Sequence, residues 1–411
     1  MLTGYRVLDI TQFVAGPTCG RILAELGAEV IKIELAPLGD RSRAQGIKPK
    51  DPAYQSSSQS SYYVQHNHSK HSLALDFGHA RGRELIRQLT TKSDVLVENF
   101  APGVMARAGL AYNDLKTVNA KLVMCSISFA GQSGPLSEKP GYDYVAQAYA
   151  GVTDLIGAPG ESPMMVPMAV GDVSTGVAAA MAIGFALLHC ERTGEGQYIE
   201  SALLDTYFHM HEANVPRIAL RGGNYVPKRT GSQHPDGGPA GVFKYRDGQY
   251  LTIVALPHQW AQLLKALGRP DLTDDPRFAT ARDRRANNKA LQAIIEQWLS
   301  NFPSREAALA ALEKERVPCA PVLTLKEVTE LPHLRDRGMV RRIRDPHIGE
   351  FDVPGLPVRF SRWPMAAPVR ADLLGEHNDA VLRNVLGLSD TDIAALYADS
   401  VLVRDPLCEP Q

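Results

Sequence analysis

Residues 6–34 read RVLDITQFVAGPTCGRILAELGAEVIKIE. Two short apolar runs, 6–11 and 29–34, flank a stretch with helical spacing at 16–26. Short Val- and Ile-rich runs bounded by turn residues read as buried strands, and the segment between them reads as an amphipathic crossover helix. Two strands joined by such a helix pair in parallel. The alternation continues with 72–75 extended, 81–90 helical, and 94–98 and 122–128 extended. The expected fold class is therefore α/β, a large Rossmann-like domain with a parallel sheet.

Outward from this unit the texture changes twice. Residues 36–63, with QSSSQSS at 55–61, read as a polar surface loop. From about Arg221 the chain becomes dense in Gly, Pro and basic residues, and 241–256 reads as a hairpin turning at Arg246-Asp247-Gly248. Helical patterns follow at 258–267, 288–301 and 304–315, which makes a smaller α+β domain. The expected organisation is 1–220 for the large domain, 221–325 for the small one, and 326–411 returning to the large one.

The chain has 411 residues and a net charge of −1 with both signs interspersed, so no nucleic-acid footprint or anionic-membrane surface is expected. Its five cysteines are scattered and never paired as C-x-x-C, which argues against a disulfide framework and for a reducing, cytoplasmic setting. The opening residues show a strand pattern in place of a charged and apolar leader. The longest apolar run, 177–188, falls short of the ~20 residues a spanning helix needs.

The main candidate for chemistry is Asp172, in the string Val-Gly-Asp-Val-Ser-Thr-Gly at the head of an alanine-rich helical run, 173–189. At or beside an N-cap, a carboxylate is stabilised by unpaired backbone N–H groups and the helix dipole, so a value near the ordinary ~3.9 or below is expected. Ionised at neutral pH, it could attack as a nucleophile; Asp is also a preferred capping residue in any protein. Gly171 before it leaves room for a ligand to approach the backbone.

Other motifs carry less. Glu34 ends the second strand where an acid would hold a ribose hydroxyl, but the turn at 15–20 lacks G-x-G-x-x-G, which weighs against a dehydrogenase using NAD. His66, His68 and His71, and His209, His211 and Glu212, match no metal-ligand spacing, so no metal is expected. No G-x-S-x-G or P-loop is present. The loop 231–241, with His234 and Asp236, reads either as a linker or as a lid that excludes water.

Taken in order, the pieces VLDITQFVAGPTCGRILAELGAEVIKIE, NHSKHSLALD, DVLVENFAPGVMARAGL, GYDYVAQAYAG, VGDVSTG and TGEGQYIESALLD resemble the class III coenzyme A-transferase family, which includes formyl-CoA transferase and L-carnitine CoA-transferase. The resemblance covers nearly the whole chain. It implies that Asp172 is the nucleophile, attacking a donor thioester to give a mixed anhydride and then an aspartyl-CoA thioester, with coenzyme A as substrate and no permanently bound cofactor. It further implies a CoA site at Val14, Ala15, Leu75, Asp76, Phe77, Gly78, Asn99, Phe100 and Ala101. Arg107 is implied at a CoA phosphate, Gly141 and Tyr142 along the pantetheine path, and Asp143 close to the nucleophile, where it would raise the pKa of Asp172 against the dipole. The implied assembly is an interlocked homodimer.

The departures bear on substrate. Formyl-CoA transferase has glutamine where Val14 stands, which counts against oxalate, and arginine where Leu35 stands, which leaves Lys32, Arg41 or Arg43 for phosphate. Acyl-CoA racemases on this fold carry a histidine where Tyr142 stands, which favours transfer over racemisation. Succinyl-CoA is the expected donor and a C4–C5 dicarboxylate such as itaconate, mesaconate or citramalate the expected acceptor, its distal carboxylate held by the 66–71 histidines, Arg217, Arg221, Lys228 or Arg229. A non-catalytic CoA-binding protein is the rival outside the enzymes.

Overall fold

In the computed structural model, residues 1–236, 238–246, 248–363 and 370–408 are described. Six parallel strands, β1 (Arg6–Ile10), β2 (Glu29–Leu35), β3 (His71–Leu75), β4 (Val95–Glu98), β5 (Val123–Ser128) and β6 (Tyr198–Ala202), lie in the order β3-β2-β1-β4-β5-β6. This α/β topology reverses direction between β1 and β4. At such a switch point the loops leaving the two strands diverge and open a crevice. β6 is the strand that the sequence reading missed, because its residues YIESA carry only weak apolar character.

Each face of the sheet is covered. One packs on the helices Ala15–Glu25 and Val170–Thr193 through Cys19, Ile22, Ala179 and Ile183. The other packs on Ala80–Thr90 and on two helices from the end of the chain, Asn378–Leu386 and Asp390–Ala398, through Leu85, Leu382 and Leu396. The C-terminal segment is stitched to β3: Asp76 N donates to Val401 O at 2.8 Å, and Ala74 N to Asn378 Oδ1 at 2.8 Å.

The helix Val170–Thr193 is longer than the apolar run suggested: 24 residues, long and apolar enough by length and composition to cross a membrane. One of its faces packs on protein. It lies so close to Ala15–Glu25 that a Cβ on Gly176 would stand 2.5 Å from Ala15 O, so this glycine is required by helix-to-helix contact.

The polar stretch 36–63 is exposed over most of 44–56, as a surface loop would be, but it is anchored beyond that. Ser57, Gln59 and Ser60 are buried, Gln59 donating to Asp345 Oδ2 (3.1 Å) and Ala371 O (2.8 Å), and Ser60 caps the helix Ser61–Asn67. Asp40, Ser42, Arg43, Ser57, Gln59 and Ser60 are its buried polar residues, in a network that the local sequence could not show.

Contacts divide the chain into two compact units, Met1–Val152 with Val166–Val215 and Pro332–Gln411, and Thr153–Met165 with Pro216–Leu331. The second holds an antiparallel sheet of β7 (Ala240–Lys244), β8 (Tyr250–Val254) and β9 (Cys319–Pro321), backed by the helices Trp260–Leu267, Asn288–Leu299 and Arg305–Lys314. Asp247 of the anticipated hairpin turn, and Gly237 of the loop 231–241, lie outside the described residues. Within that loop His234 N donates to Ala240 O at 2.8 Å.

Candidate active site

The crevice at the switch point is a cavity of about 800 Å³. Its walls are the loop after β1 (Gln12 to Ala15), the loop after β4 (Asn99 to Pro102, with Val104 and Arg107), the end of β5, the segment Ser137 to Tyr142, and Asp172. Asn99 fixes the first wall to the second: its side chain accepts from Gln12 N and donates to Gln12 O, both at 2.8 Å. Phe13 follows with φ of 66°, a left-handed conformation costing about 1–3 kcal/mol that persists only where surroundings impose it. The Asn99 clamp and a bond from Phe13 N to Asp40 Oδ1 (3.1 Å) do so here. The Phe13 ring meets that of Tyr142 edge-on across the cavity mouth.

Asp172 is the third residue of its helix, not the cap; the cap position is Ala169, whose side chain offers no acceptor. Partners from other elements serve instead. Gly171 N donates to the Tyr207 hydroxyl at 3.0 Å, and Asp172 N donates to Asp143 Oδ2 at 2.9 Å. Tyr207 in turn donates to Asp143 Oδ1 at 2.7 Å, as does Gln147 Nε2 at 3.0 Å. A Cβ on Gly171 would stand 2.2 Å from the Tyr207 ring, so the absent side chain makes room for Tyr207 and not, as anticipated, for a ligand.

The electrostatics decide between the helix dipole and Asp143, two opposing effects that the sequence left open. Burial, with the Asp143 carboxylate as a second cause, pushes Asp172 up to about 7. The helix N-terminus cannot offset this because two of its N–H groups are already bonded to Tyr207 and Asp143. Asp172 is therefore a half-ionised acid near neutrality, and its ionised form is more basic than an ordinary aspartate.

Ten of the anticipated residues line the cavity: Val14, Ala15, Phe77, Asn99, Phe100, Ala101, Arg107, Gly141, Tyr142 and Asp172. Leu75, Asp76, Gly78 and Asp143 are not on its wall. Leu75 is core, Asp76 accepts from Gly78 N at 2.8 Å in a tight turn, and Asp143 supports Asp172 from beneath. The sequence reading missed Gln12, Phe13, Ser137 and Lys139, all lining the cavity. It also missed Tyr62, whose hydroxyl is pushed up by burial and by the Asp172 charge. Of these, only the polar run after GQSGP carried a signal, as a loop following a strand.

Several anticipated cations are engaged elsewhere. Lys32 is fully buried between Asp9 (3.4 Å) and Asp40 (3.0 Å), and Arg43 is paired with Glu34 at 2.6 Å. Of the three cations considered for phosphate, only Arg41 lines the cavity. Glu34, committed to Arg43, Tyr63 and Ser72, has no capacity left for a ribose. His66 and His68 are buried, and burial followed by Arg21 holds them down at about 3 and about 2, so neither is a cation for a carboxylate. Arg217 pairs with Asp236 and Arg229 with Asp154.

The sequence matches CoA-transferase family III over residues 2–378. It is 30% identical over 402 residues to succinyl-CoA–D-citramalate CoA-transferase of Chloroflexus aurantiacus, covering 98% of both chains. It is 34% identical over 421 residues to formyl-CoA:oxalate CoA-transferase of Streptomyces coelicolor, covering 98% of this chain and 99% of the relative. Among solved structures, a CAIB/BAIF family protein from Brucella suis superposes with a TM-score of 0.80 at 34% identity, covering 93% of this chain and 98% of that one.

Proposed function

The chain belongs to CoA-transferase family III, and from that premise we propose that it moves CoA between carboxylic acids with Asp172 as the covalent carrier. The observation that carries the reading is the position of Asp172: its carboxyl borders the cavity while burial and Asp143 keep it basic. An Asp172 oxygen attacks the donor thioester carbonyl, the C–S bond breaks, and CoA thiolate leaves a mixed anhydride. The thiolate then attacks the aspartyl carbonyl, releasing the donor acid and forming an aspartyl-CoA thioester. The acceptor carboxylate displaces the thiolate, which finally takes the acceptor acyl group and frees Asp172. Each step exchanges one acyl bond for another, so no ATP is needed.

The proposed donor is succinyl-CoA and the proposed acceptor a C4–C5 dicarboxylate, itaconate among them. The donor and the C5 acceptor named for the Chloroflexus relative support this choice, and the apolar Val14 lining the cavity argues against an acceptor as small as oxalate. Arg41, Arg107 and Lys139 supply the cavity's cations for the CoA phosphates and the acceptor's second carboxylate.

We also propose a cytoplasmic homodimer. Val173, Val177, Met181, Phe185 and Leu188 form a stripe along one face of the helix Val170–Thr193, each 41 to 66% exposed, and a contiguous apolar face of this kind calls for a partner. All five cysteines are free thiols, in keeping with a reducing compartment.

The test is to incubate the protein with succinyl-CoA, digest it and weigh the peptide that contains Asp172. A CoA-sized adduct, lost on hydroxylamine treatment and absent in Asp172→Ala, is expected. An unmodified peptide during active turnover would overturn the mechanism. Equal turnover of mono- and dicarboxylates would overturn the acceptor assignment, and light scattering at monomer mass would overturn the dimer.

A further inference from the structure

At the edge of the sheet, β3 begins with His71, whose side chain is 49% exposed. The C-terminal segment sets two donors against it. Asp372 Oδ2 lies 3.7 Å from His71 Nδ1 and 2.6 Å from His377 Nδ1. One donor atom from each of the three residues falls within 4.8 Å of the other two, the sole such cluster among the described residues.

The arrangement is built. The Asp372 side chain is buried and receives Ser72 N at 3.1 Å, its backbone carbonyl receives Arg43 Nη2 at 3.1 Å, and His377 N donates to Ser72 O at 3.0 Å. The His377 Nδ1 atom is shielded from solvent and faces the carboxylate as a close ion-pair partner. With the exposed imidazole of His71 facing the same carboxylate oxygen, the three side chains present an open face of three donor atoms.

We propose that His71, Asp372 and His377 bind one divalent transition-metal ion of the zinc or nickel type. Two imidazoles and one carboxylate are the donor set such ions take, with bonds of about 2.0–2.2 Å that place neighbouring donors ~3.2–3.5 Å apart. His71 already stands near that separation from Asp372, and His377 reaches it by a small ring rotation away from the carboxylate. Open positions would be filled by water. The ion would tie the edge strand β3 to the segment that returns from the far end of the chain, a structural staple independent of the transfer chemistry.

The test uses untagged full-length protein stripped with EDTA and titrated with Zn²⁺ by calorimetry, and with Co²⁺ by its visible absorption. One ion per chain is expected, with Zn²⁺ raising the thermal midpoint. Loss of even an outer-sphere partner costs a metal site 10–100-fold, so His71→Ala and His377→Ala should each weaken binding by at least about tenfold, and His333→Ala should not. His71 is exposed, so its variant folds and keeps the test decisive. Absence of binding, or binding unaltered in the His71→Ala, His377→Ala double variant, would overturn the site.

Discussion

Two groups of buried carboxylates lie within the same unit and behave in opposite ways. Beneath the sheet's carboxyl edge, Asp9 is fully buried, yet Lys32 and Lys70 outweigh its burial and hold it at about 2. Glu34 is likewise held below the usual range by Arg43. On the wall of the cavity, burial and Asp143 push Asp172 up to about 7. The residue type and the burial are similar; the sign of the neighbour differs. Cations are concentrated where they lock the loops after β1 and β2, and withheld from the carboxylate that borders the cavity. The scaffold is electrostatically satisfied so that one acid can be left unsatisfied.

The largest effect should come from removing the unsatisfied acid. Asp172→Ala is expected to lower CoA transfer by at least about 10⁴-fold, as loss of a covalent nucleophile does elsewhere, measured as turnover of succinyl-CoA with a dicarboxylate. Stability should move the other way. Asp172 is raised above its unfolded value, so ionising it costs stability as pH climbs from about 4 through about 7. Asp172→Asn removes that cost, so the variant should melt higher than the parent at pH 8 and equally at pH 4. A melting difference that appears at pH 4 instead would break the contrast.

The satisfied network should respond in stability first. Lys32→Met leaves Asp9 and Asp40 short of a buried cation and should cost about 3–5 kcal/mol in urea unfolding. A loss under about 1 kcal/mol would show that the network contributes little. Gly171→Ala tests the support of Asp172 sterically. The new methyl cannot coexist with the Tyr207 ring, and displacing the nucleophile by about 1 Å should lower kcat by ~10²-fold while KM for the acyl-CoA stays close to the parent's.

The smallest expected effect is the sharpest probe. The rate should fall as pH drops through about 7, because protonated Asp172 cannot attack. Asp143→Asn removes the like charge but not the burial, so the midpoint of the pH-rate profile should shift toward acid while staying above that of a free aspartate. An unmoved midpoint would assign the whole shift to burial.

Much of this was legible in the chain. The apolar runs at β1, β2, β4 and β5 revealed the parallel sheet because strands buried on both faces must be apolar throughout. β6, with alternating exposure, left no such trace. The resemblance to a known family singled out Asp172 as the candidate nucleophile, and ten of the fourteen residues it implied border one cavity. The misreadings share a cause. Lys32, Glu34 and Arg43 looked available for ligand because a sequence shows charge but not partners. Gly171 looked like room for a substrate because nothing local reveals that Tyr207, thirty-six residues on, fills the space.

The order of apolar and polar residues therefore sufficed for the α/β class, since this depends on periodicity, while Asp172 was picked out as the candidate nucleophile by the resemblance to a known family. Tertiary structure alone decided the protonation of that acid, the fate of the surrounding charges and the meeting of His71 with Asp372 and His377. Those depend on Coulombic and steric neighbours that lie far apart along the chain, and energies that fall with distance in space carry no signature in sequence separation.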